Sequence, residues 1–317
     1  MPVVAWCCGF LFYTFVGRTA GVDITETGLG TWLIRWWSSQ ADVLEARLMS
    51  MYLSIETKSQ ILALTLGRRE LLSPEIKELY RSAGGSHLLA LSGMHLGVMF
   101  GILGLALRNS KNGYWHWPLV TISICFVWSY ALLTGCPKSL VRAALMMTVA
   151  LVLSTSCNKR KMIDILTFSA SVMILFDPGA VLDVGFQLSC AAMLGISLVA
   201  IPVYNGILDS YAWHKIYMSK YGKLKRWLIK IPISSLLVSL SAQIATLPLT
   251  LWYFRSIAPY SALTSLVAIP LTTLVIYSSM ILYAGGTWIA PLVEWLIGIQ
   301  NDFMQWVSTL SGAYIVI

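Results

Sequence analysis

The sequence predicts an all-α fold, a polytopic bundle of about eight to ten transmembrane helices with short amphipathic helices at the membrane interface. Composition is the first reason. Hydrophobic side chains make up 57% of the 317 residues and charged side chains only 11%, and the mean hydropathy is +0.73. A soluble fold could not bury this much apolar surface, so the bilayer must act as the solvent.

The second reason is a series of apolar runs that approach the length needed to cross a bilayer. Several are shorter than the roughly 20 residues of a straight span, so tilted or re-entrant helices are expected. A hydrophobic tail over residues 288–317 adds one or two further spans. The runs occupy residues 87–107, 118–133, 140–155, 163–176, 184–203, 231–254 and 260–283.

The distribution of lysine and arginine predicts the orientation, because cationic loops remain in the cytoplasm. Lys and Arg collect in residues 158–161 and 204–230, so both loops are expected inside. The turn between them, residues 177–183, must then lie outside and contains no Lys or Arg. Because successive spans cross the membrane in opposite directions, residues 18–86 are expected outside as well. The positive-inside rule accounts for the basic loops, and for the net charge of +8, better than nucleic-acid binding does.

Two amphipathic helices are predicted in the outer segment. Glu75 follows Ser73 and Pro74, which suit the N-cap and first position of a short helix, and Gly84-Gly85 suits its end. The preceding helix should lie along the membrane surface or cap the bundle, since its apolar residues recur on one face. These residues are Leu44, Leu48, Met51, Tyr52, Ile55, Leu62 and Leu66.

Candidate functional residues begin in the apolar run that holds His87, Ser92 and His95. Ionisable side chains inside a span are costly and usually face a bundle interior or a watery cavity. A pathway role and a hydrogen bond to a neighbouring helix both remain open. On one helix the histidines would diverge by about 80°, so a shared metal ion is not expected. Repeated glycines suit close helix packing. They are Gly93, Gly97, Gly101 and Gly104.

Polar residues in later spans offer similar choices. Arg142, at the mouth of a span, could hold phosphate oxygens or snorkel to the interface. Gln187 and Gln243 could line a wet path or hydrogen-bond neighbouring helices. Pro248 and Pro270 lie inside apolar runs and are expected to kink or break their helices.

Four segments resemble the signature stretches of the ComEC-type competence family, in the family's order. They are SHLLALSGMHLG from Ser86, TG…RAALM from Thr134 to Met146, GFQLS from Gly185 and AQIATLPLTLWYF from Ala242 to Phe254. With the preceding run from Leu66 to Gly84, the similarity covers most of the chain. We call these four the signature segments.

The resemblance implies a multi-pass bacterial inner-membrane channel that passes a single DNA strand inward during natural transformation. It implies a competence-type channel domain over residues 67–317, whereas the apolar pattern and the charges predict an N-terminal hydrophobic segment with an extracytoplasmic amphipathic helix over residues 1–66. It also selects the positions that shape the path or pack its helices. These are His87, Ser92, Gly93, His95, Gly97, Arg142, Gly185, Gln187, Gln243 and Pro248.

The implied partners are single-stranded DNA and the lipid bilayer, with a DNA receptor outside, a cytoplasmic ATPase motor and a homo-oligomeric assembly as further expectations. Full-length relatives often carry an oligonucleotide-binding-fold domain and a metallo-β-lactamase-like nuclease domain. No H-x-H-x-D-H run occurs in this sequence, so we expect no metal, no cofactor and no hydrolysis by this chain. Lys138 occupies the position where the family usually has proline, and Ser265 a position where asparagine is common.

Three alternatives remain. Polar residues at mid-depth and proline-interrupted helices also suit a small-solute permease. Ser92 and His95, three residues apart, could serve as nucleophile and base of an intramembrane enzyme, although the sequence offers no clear orienting carboxylate. The apolar runs at both termini also suit a truncated, non-functional competence protein.

Overall fold

The computed structural model describes residues 28–109, 116–154, 162–208 and 222–316, and these are almost entirely α-helical. The first helices are α1 (Gly28–Met49), α2 (Ile55–Thr65), α3 (Pro74–Ser82), α4 (Ser86–Leu89), α5 (Gly93–Asn109), α6 (His116–Leu133) and α7 (Lys138–Ser154). They are followed by α8 (Met162–Phe176), α9 (Val184–Gly195), α10 (Ile201–Leu208), α11 (Gly222–Phe254), α12 (Ser261–Tyr283) and α13 (Ala290–Ser308). Short 3₁₀ turns occupy Arg69–Leu71, Pro178–Leu182 and Thr287–Ile289, and a π-turn, Ile196–Ala200, joins α9 to α10.

Four helical segments of the described residues are long and apolar enough to cross a membrane. They are His116–Leu133, Val184–Ile207, Pro232–Phe254 and Ser261–Tyr283. This confirms the helical membrane class. The expected spans at α5, α7 and α8 are helices of 17, 17 and 15 residues, shorter than a straight crossing requires. The total of eight to ten therefore stays a prediction, and the apolar run of residues 3–16 lies outside the described residues.

The chain divides into two compact units. The first comprises Met1–Ser73, His87–Phe186 and Thr272–Ile299, and the second Pro74–Ser86, Gln187–Leu271 and Gln300–Ile317. The division into residues 1–66 and 67–317 stays a prediction. The core of the first unit lies where α5, α6 and α7 pack together. Its fully buried members include Leu96, Val127, Ala131, Leu140 and Ala144, with Ile276 of α12 beside them.

The predicted amphipathic surface helix is wrong in its extent and its surroundings. Helicity stops at Met49 and resumes at Ile55, and Tyr52 and Ile55 are exposed rather than on a common apolar face. Helix α2 is instead an interior helix of the first unit, with eight buried residues from Thr57 to Thr65. Ser54 Oγ caps it by accepting a 3.2 Å hydrogen bond from Thr57 N.

A buried hydroxyl network fixes the carboxyl end of α2. Tyr130 Oη of α6 donates to the Thr65 carbonyl at 2.8 Å, and Thr65 Oγ1 lies 2.9 Å from Tyr283 Oη of α12. The buried polar ends of two tyrosines thereby find partners in α2. These bonds explain why a short helix with so little exposed surface is held inside the unit.

The expected continuous helix over residues 87–107 is interrupted. Helix α4 ends at Leu89 and α5 begins at Gly93. Between them the Leu91 carbonyl accepts a 2.8 Å hydrogen bond from Ser139 Oγ of α7. This tertiary bond stabilises the interruption, and His87 and His95 do not share a helix.

The second unit contains the predicted short helix, which is confirmed as α3. Ile76 and Tyr80 are buried while its acidic residues are exposed, and Gly84 ends it with a φ of +72°. Gly85 N donates to the Tyr80 carbonyl at 2.7 Å, as in a Schellman motif.

The two long helices α11 and α12 continue through their prolines. Pro248 and Pro270 lie inside them, so neither proline breaks its helix, and the alternative expectation of a kink stays a prediction. A membrane helix tolerates the carbonyl that proline frees when neighbouring groups re-satisfy it.

The last described residues of the second unit pair with the segment after α11. β1 (Ser256–Ile257) and β2 (Ile315–Val316) form an antiparallel pair. Helices α9 and α11 approach closely in the same unit, since a Cβ on Gly195 would lie 2.5 Å from the Ser241 carbonyl oxygen.

Candidate site where the signature segments meet

The first two signature segments pack directly against one another in the first unit. Ser139 Oγ of α7 donates to the Leu91 carbonyl at 2.8 Å. A Cβ added to Gly93 would lie 3.2 Å from Ala143 Cβ, tighter than ordinary contact, so glycine allows this approach of α5 to α7. The predicted packing role of Gly93 agrees with this geometry.

Arg142 brings the third segment to the second. Its Nη2 donates to the Gly185 carbonyl at 2.8 Å, and its Nη1 lies 3.5 Å from Asp183 Oδ1. The guanidinium carbon also stands 5.9 Å from the centre of the Phe186 ring. Arg142 is 6% exposed. It is therefore a buried cation held by the start of α9. We call Arg142, Asp183 and Gly185 the signature cluster.

Asp183 is the member of the cluster that sequence analysis did not select. Its Oδ1 accepts a 2.8 Å hydrogen bond from Phe186 N and so caps α9, and its Oδ2 lies 3.8 Å from Lys138 Nζ. The available signal was an aspartate directly before an apolar run, a common N-cap pattern. The pattern predicts the cap but says nothing of the two cations.

Gly185 is small for a local reason. A Cβ there would lie 3.1 Å from Asp183 Oδ1 and 3.6 Å from Arg142 Nη2. The missing side chain leaves room beside the guanidinium and the carboxylate.

His95 is fully buried, and its Nδ1 lies 3.2 Å from Ser92 Oγ. Among the described residues its Nε2 has no hydrogen-bond partner. The Ser92–His95 pair thus exists, but within the described part of the chain no carboxylate orients the imidazole as a catalytic triad would require. His87, in contrast, is exposed, so the two candidate histidines lie in different surroundings.

The glycines of α5 differ in how closely other residues approach them. Gly97 is exposed, and a Cβ added to it would have no atom within 4 Å, whereas a Cβ on Gly101 would lie 2.6 Å from Tyr277 Oη. Tyr277 Oη itself donates to the Val98 carbonyl at 2.7 Å. Close approach therefore occurs at Gly93 and Gly101 but not at Gly97.

The remaining predicted residues belong to the second unit. Gln187 Oε1 accepts a 3.0 Å hydrogen bond from Tyr253 Oη of α11, and Gln243 Nε2 donates to the Ala258 carbonyl at 3.0 Å. Gln187 thus joins α9 to α11, whereas Gln243 bonds the segment that follows its own helix. Over residues 28–109, 116–154, 162–208 and 222–316, no three His, Cys, Asp or Glu side chains are grouped as a metal site would require.

Comparison with known proteins decides the family. A family model described as Competence protein matches residues 64–317. The chain belongs to the Competence protein family. The resemblance seen in the signature segments is thereby confirmed, and all of the candidate residues, from His87 to Pro248, lie within the matched region. No solved structure matches the chain.

Three relatives of this competence protein are similar over part of their length. ComE operon protein 3 of Bacillus subtilis is 29% identical over 67% of the chain and 24% of the relative. Uncharacterized protein YcaI of Escherichia coli is 26% identical over 81% and 35%. Recombination protein 2 of Haemophilus influenzae is 28% identical over 42% and 18%. The chain therefore spans between about a fifth and about a third of these relatives. Family and helices together make it a multi-pass inner-membrane protein.

Proposed function

We propose that this chain is an inner-membrane channel component for the import of single-stranded DNA during natural transformation. The observation that carries the proposal is the buried Arg142, to which the third signature segment contributes a partner. A competence protein must offer a polyanion a path through the bilayer, and buried arginine is the side chain best suited to contact phosphate in a region of low dielectric.

The path itself is assigned by inference. Intramembrane ionisable residues usually face a bundle interior or a watery cavity, and His95 and Arg142 are the buried examples among the candidates. Ser92, Gly93 and Gly185 shape the surroundings of these two side chains. His87, Gly97, Gln187, Gln243 and Pro248 complete the proposed pathway and packing set.

The proposed partners follow from the same function. A DNA strand that crosses the membrane needs delivery at the outer face and a driving force at the inner face, so we propose a DNA receptor outside and an ATPase motor inside. Assembly as a homo-oligomer is a further proposal. The family match favours neither a solute permease nor a non-functional remnant.

Deletion of the gene in its own host tests the proposal. Labelled duplex DNA is supplied, and the nuclease-protected single-stranded label inside the cells is measured separately from label bound at the surface. We expect deletion to abolish the protected single strand, to leave surface-bound DNA in place and to be reversed by the restored gene. Normal protected label in the deletion strain would refute the proposal.

A further inference from the structure

We propose that Lys138 and Arg142 form a phosphate-binding site that the carboxylate of Asp183 occupies in this structure. The phosphate of an incoming DNA strand replaces the carboxylate when the strand enters. This inference rests on the proposed function for the identity of the strand, but the site is defined by its own geometry.

Two cations share the Asp183 carboxylate in the described part of the chain. Lys138 and Arg142 both lie within ion-pair distance of it. Arg142 is almost fully buried, whereas the Asp183 side chain is 30% exposed and that of Lys138 57%. Electrostatic attraction is stronger where water is excluded. A buried arginine beside a reachable, more exposed lysine therefore attracts anions from the exposed side.

The contacts to Asp183 are long. Its carboxylate oxygens lie 3.5 Å from Arg142 Nη1 and 3.8 Å from Lys138 Nζ, whereas charge-assisted N–H···O bonds are about 2.7–2.9 Å. The short bond to this carboxylate is the one from Phe186 N, at 2.8 Å. Asp183 is thus positioned by its role as a helix cap, and both cations lie farther from its carboxylate than in an optimal charge-assisted hydrogen bond.

A phosphodiester is free to approach these cations more closely than Asp183 does, because it is not tied to the first turn of α9. Its two unbridged oxygens match the planar fork of an arginine, and a lysine ammonium adds a point charge. Gly185 keeps the space beside the Asp183 carboxylate open, because a Cβ there would lie 3.1 Å from Asp183 Oδ1. Asp183 therefore acts as an internal competitor, which is displaced only by an anion that binds Lys138 and Arg142 more tightly.

Binding by the purified full chain in nanodiscs tests this. The probes are a fluorescent oligothymidylate of roughly 20 nucleotides, followed by anisotropy, and inorganic tripolyphosphate, followed by calorimetry. We expect Asp183→Asn to tighten both affinities by roughly fivefold or more, because it removes the competing charge and keeps a capping oxygen. Arg142→Gln should weaken both, and the double variant should bind like Arg142→Gln.

Asp177→Asn is the matched control. Asp177 begins the same turn, and among the described residues it forms no ion pair within 4 Å, so its loss should leave both affinities unchanged. Asp183→Ser, which also caps helices, serves as a second variant should Asp183→Asn fold poorly.

The outcomes separate this inference from the proposed function. Equal affinities for Asp183→Asn, Asp177→Asn and the parent chain would overturn the inference, and DNA binding by all three would leave the proposed function standing. Tighter tripolyphosphate binding by Asp183→Asn, with no DNA binding by any form, would support the phosphate site and count against DNA as the cargo.

Discussion

Arg142 Nη2 donates a 2.8 Å hydrogen bond to the carbonyl oxygen of Gly185, which is 43 residues away in the chain. Through this bond the guanidinium of α7 is fastened to the first turn of α9. Asp183 caps that turn and faces the same guanidinium. The planar fork of the arginine therefore directs one nitrogen toward a carbonyl and another toward a carboxylate.

Replacing Arg142 with lysine should reduce transformation about tenfold, since one ammonium cannot reproduce two directed contacts and the loss of about 1.4 kcal/mol corresponds to that factor. The measurement is transformation frequency normalised to the amount of membrane-inserted protein. Arg81→Lys, at a side chain that is 57% exposed, is the control. Equal frequencies for both variants would show that the guanidinium geometry is irrelevant to import.

Alanine substitutions at two glycines of α5 that lie about one helical turn apart should change the free energy of unfolding in opposite directions. Gly101→Ala places a Cβ 2.6 Å from Tyr277 Oη and should lower the free energy of unfolding by about 1–3 kcal/mol. Gly97→Ala meets no atom within 4 Å and should gain up to about 1 kcal/mol from helix propensity. Thermal unfolding in detergent, with Tyr277→Phe added to Gly101→Ala as a rescue, measures the difference. Two equal stabilities would contradict the packing of α5 against Tyr277.

A second glycine pair tests the close approach in the other unit. Gly195→Ala would bring a Cβ to 2.5 Å from the Ser241 carbonyl oxygen and 2.6 Å from Ala245 Cβ. A backbone oxygen cannot rotate away, so a cost of about 2–3 kcal/mol is expected. Gly206→Ala, in α10 and without such a neighbour, should be near neutral. The measurement is the thermal unfolding midpoint of each variant. An unchanged midpoint for Gly195→Ala would show that α9 and α11 lie farther apart than described.

The interior position of α2 predicts a contrast between two apolar residues. Leu62 is fully buried and Ile55 is 81% exposed. Leu62→Ala should lower the free energy of unfolding by about 2–4 kcal/mol because it leaves a cavity, while Ile55→Ala should change it by less than about 0.5 kcal/mol. The same thermal assay applies. A harmless Leu62→Ala would favour the surface helix that the sequence pattern suggested.

Sequence alone predicted the elements whose signals are local. Apolar length indicated the spans at α6, α9–α10, α11 and α12, and Ser73, Pro74 and Gly84 indicated the limits of α3. Both rest on side-chain type at neighbouring positions, and no distant contact alters them.

The errors arose where distant contacts prevail. The break before α5 depends on Ser139 reaching the Leu91 carbonyl, and the burial of α2 depends on tyrosines from α6 and α12. Arg142 and Gly185 were both selected, but no local pattern could show that they meet. Of the two outcomes expected at Pro248, a kink or a break, only the break is wrong, because α11 continues through it.

Reconstitution in liposomes measures directly whether this chain conducts single-stranded DNA across a bilayer. The purified chain is inserted into sealed vesicles. Protection from external nuclease is compared between a fluorescent single-stranded oligonucleotide and duplex DNA, and entry of a small organic anion is measured as a further control. We expect protection of the single strand alone, and its reduction by Arg142→Lys. Entry of the small anion without the oligonucleotide would contradict a DNA channel and favour a solute permease.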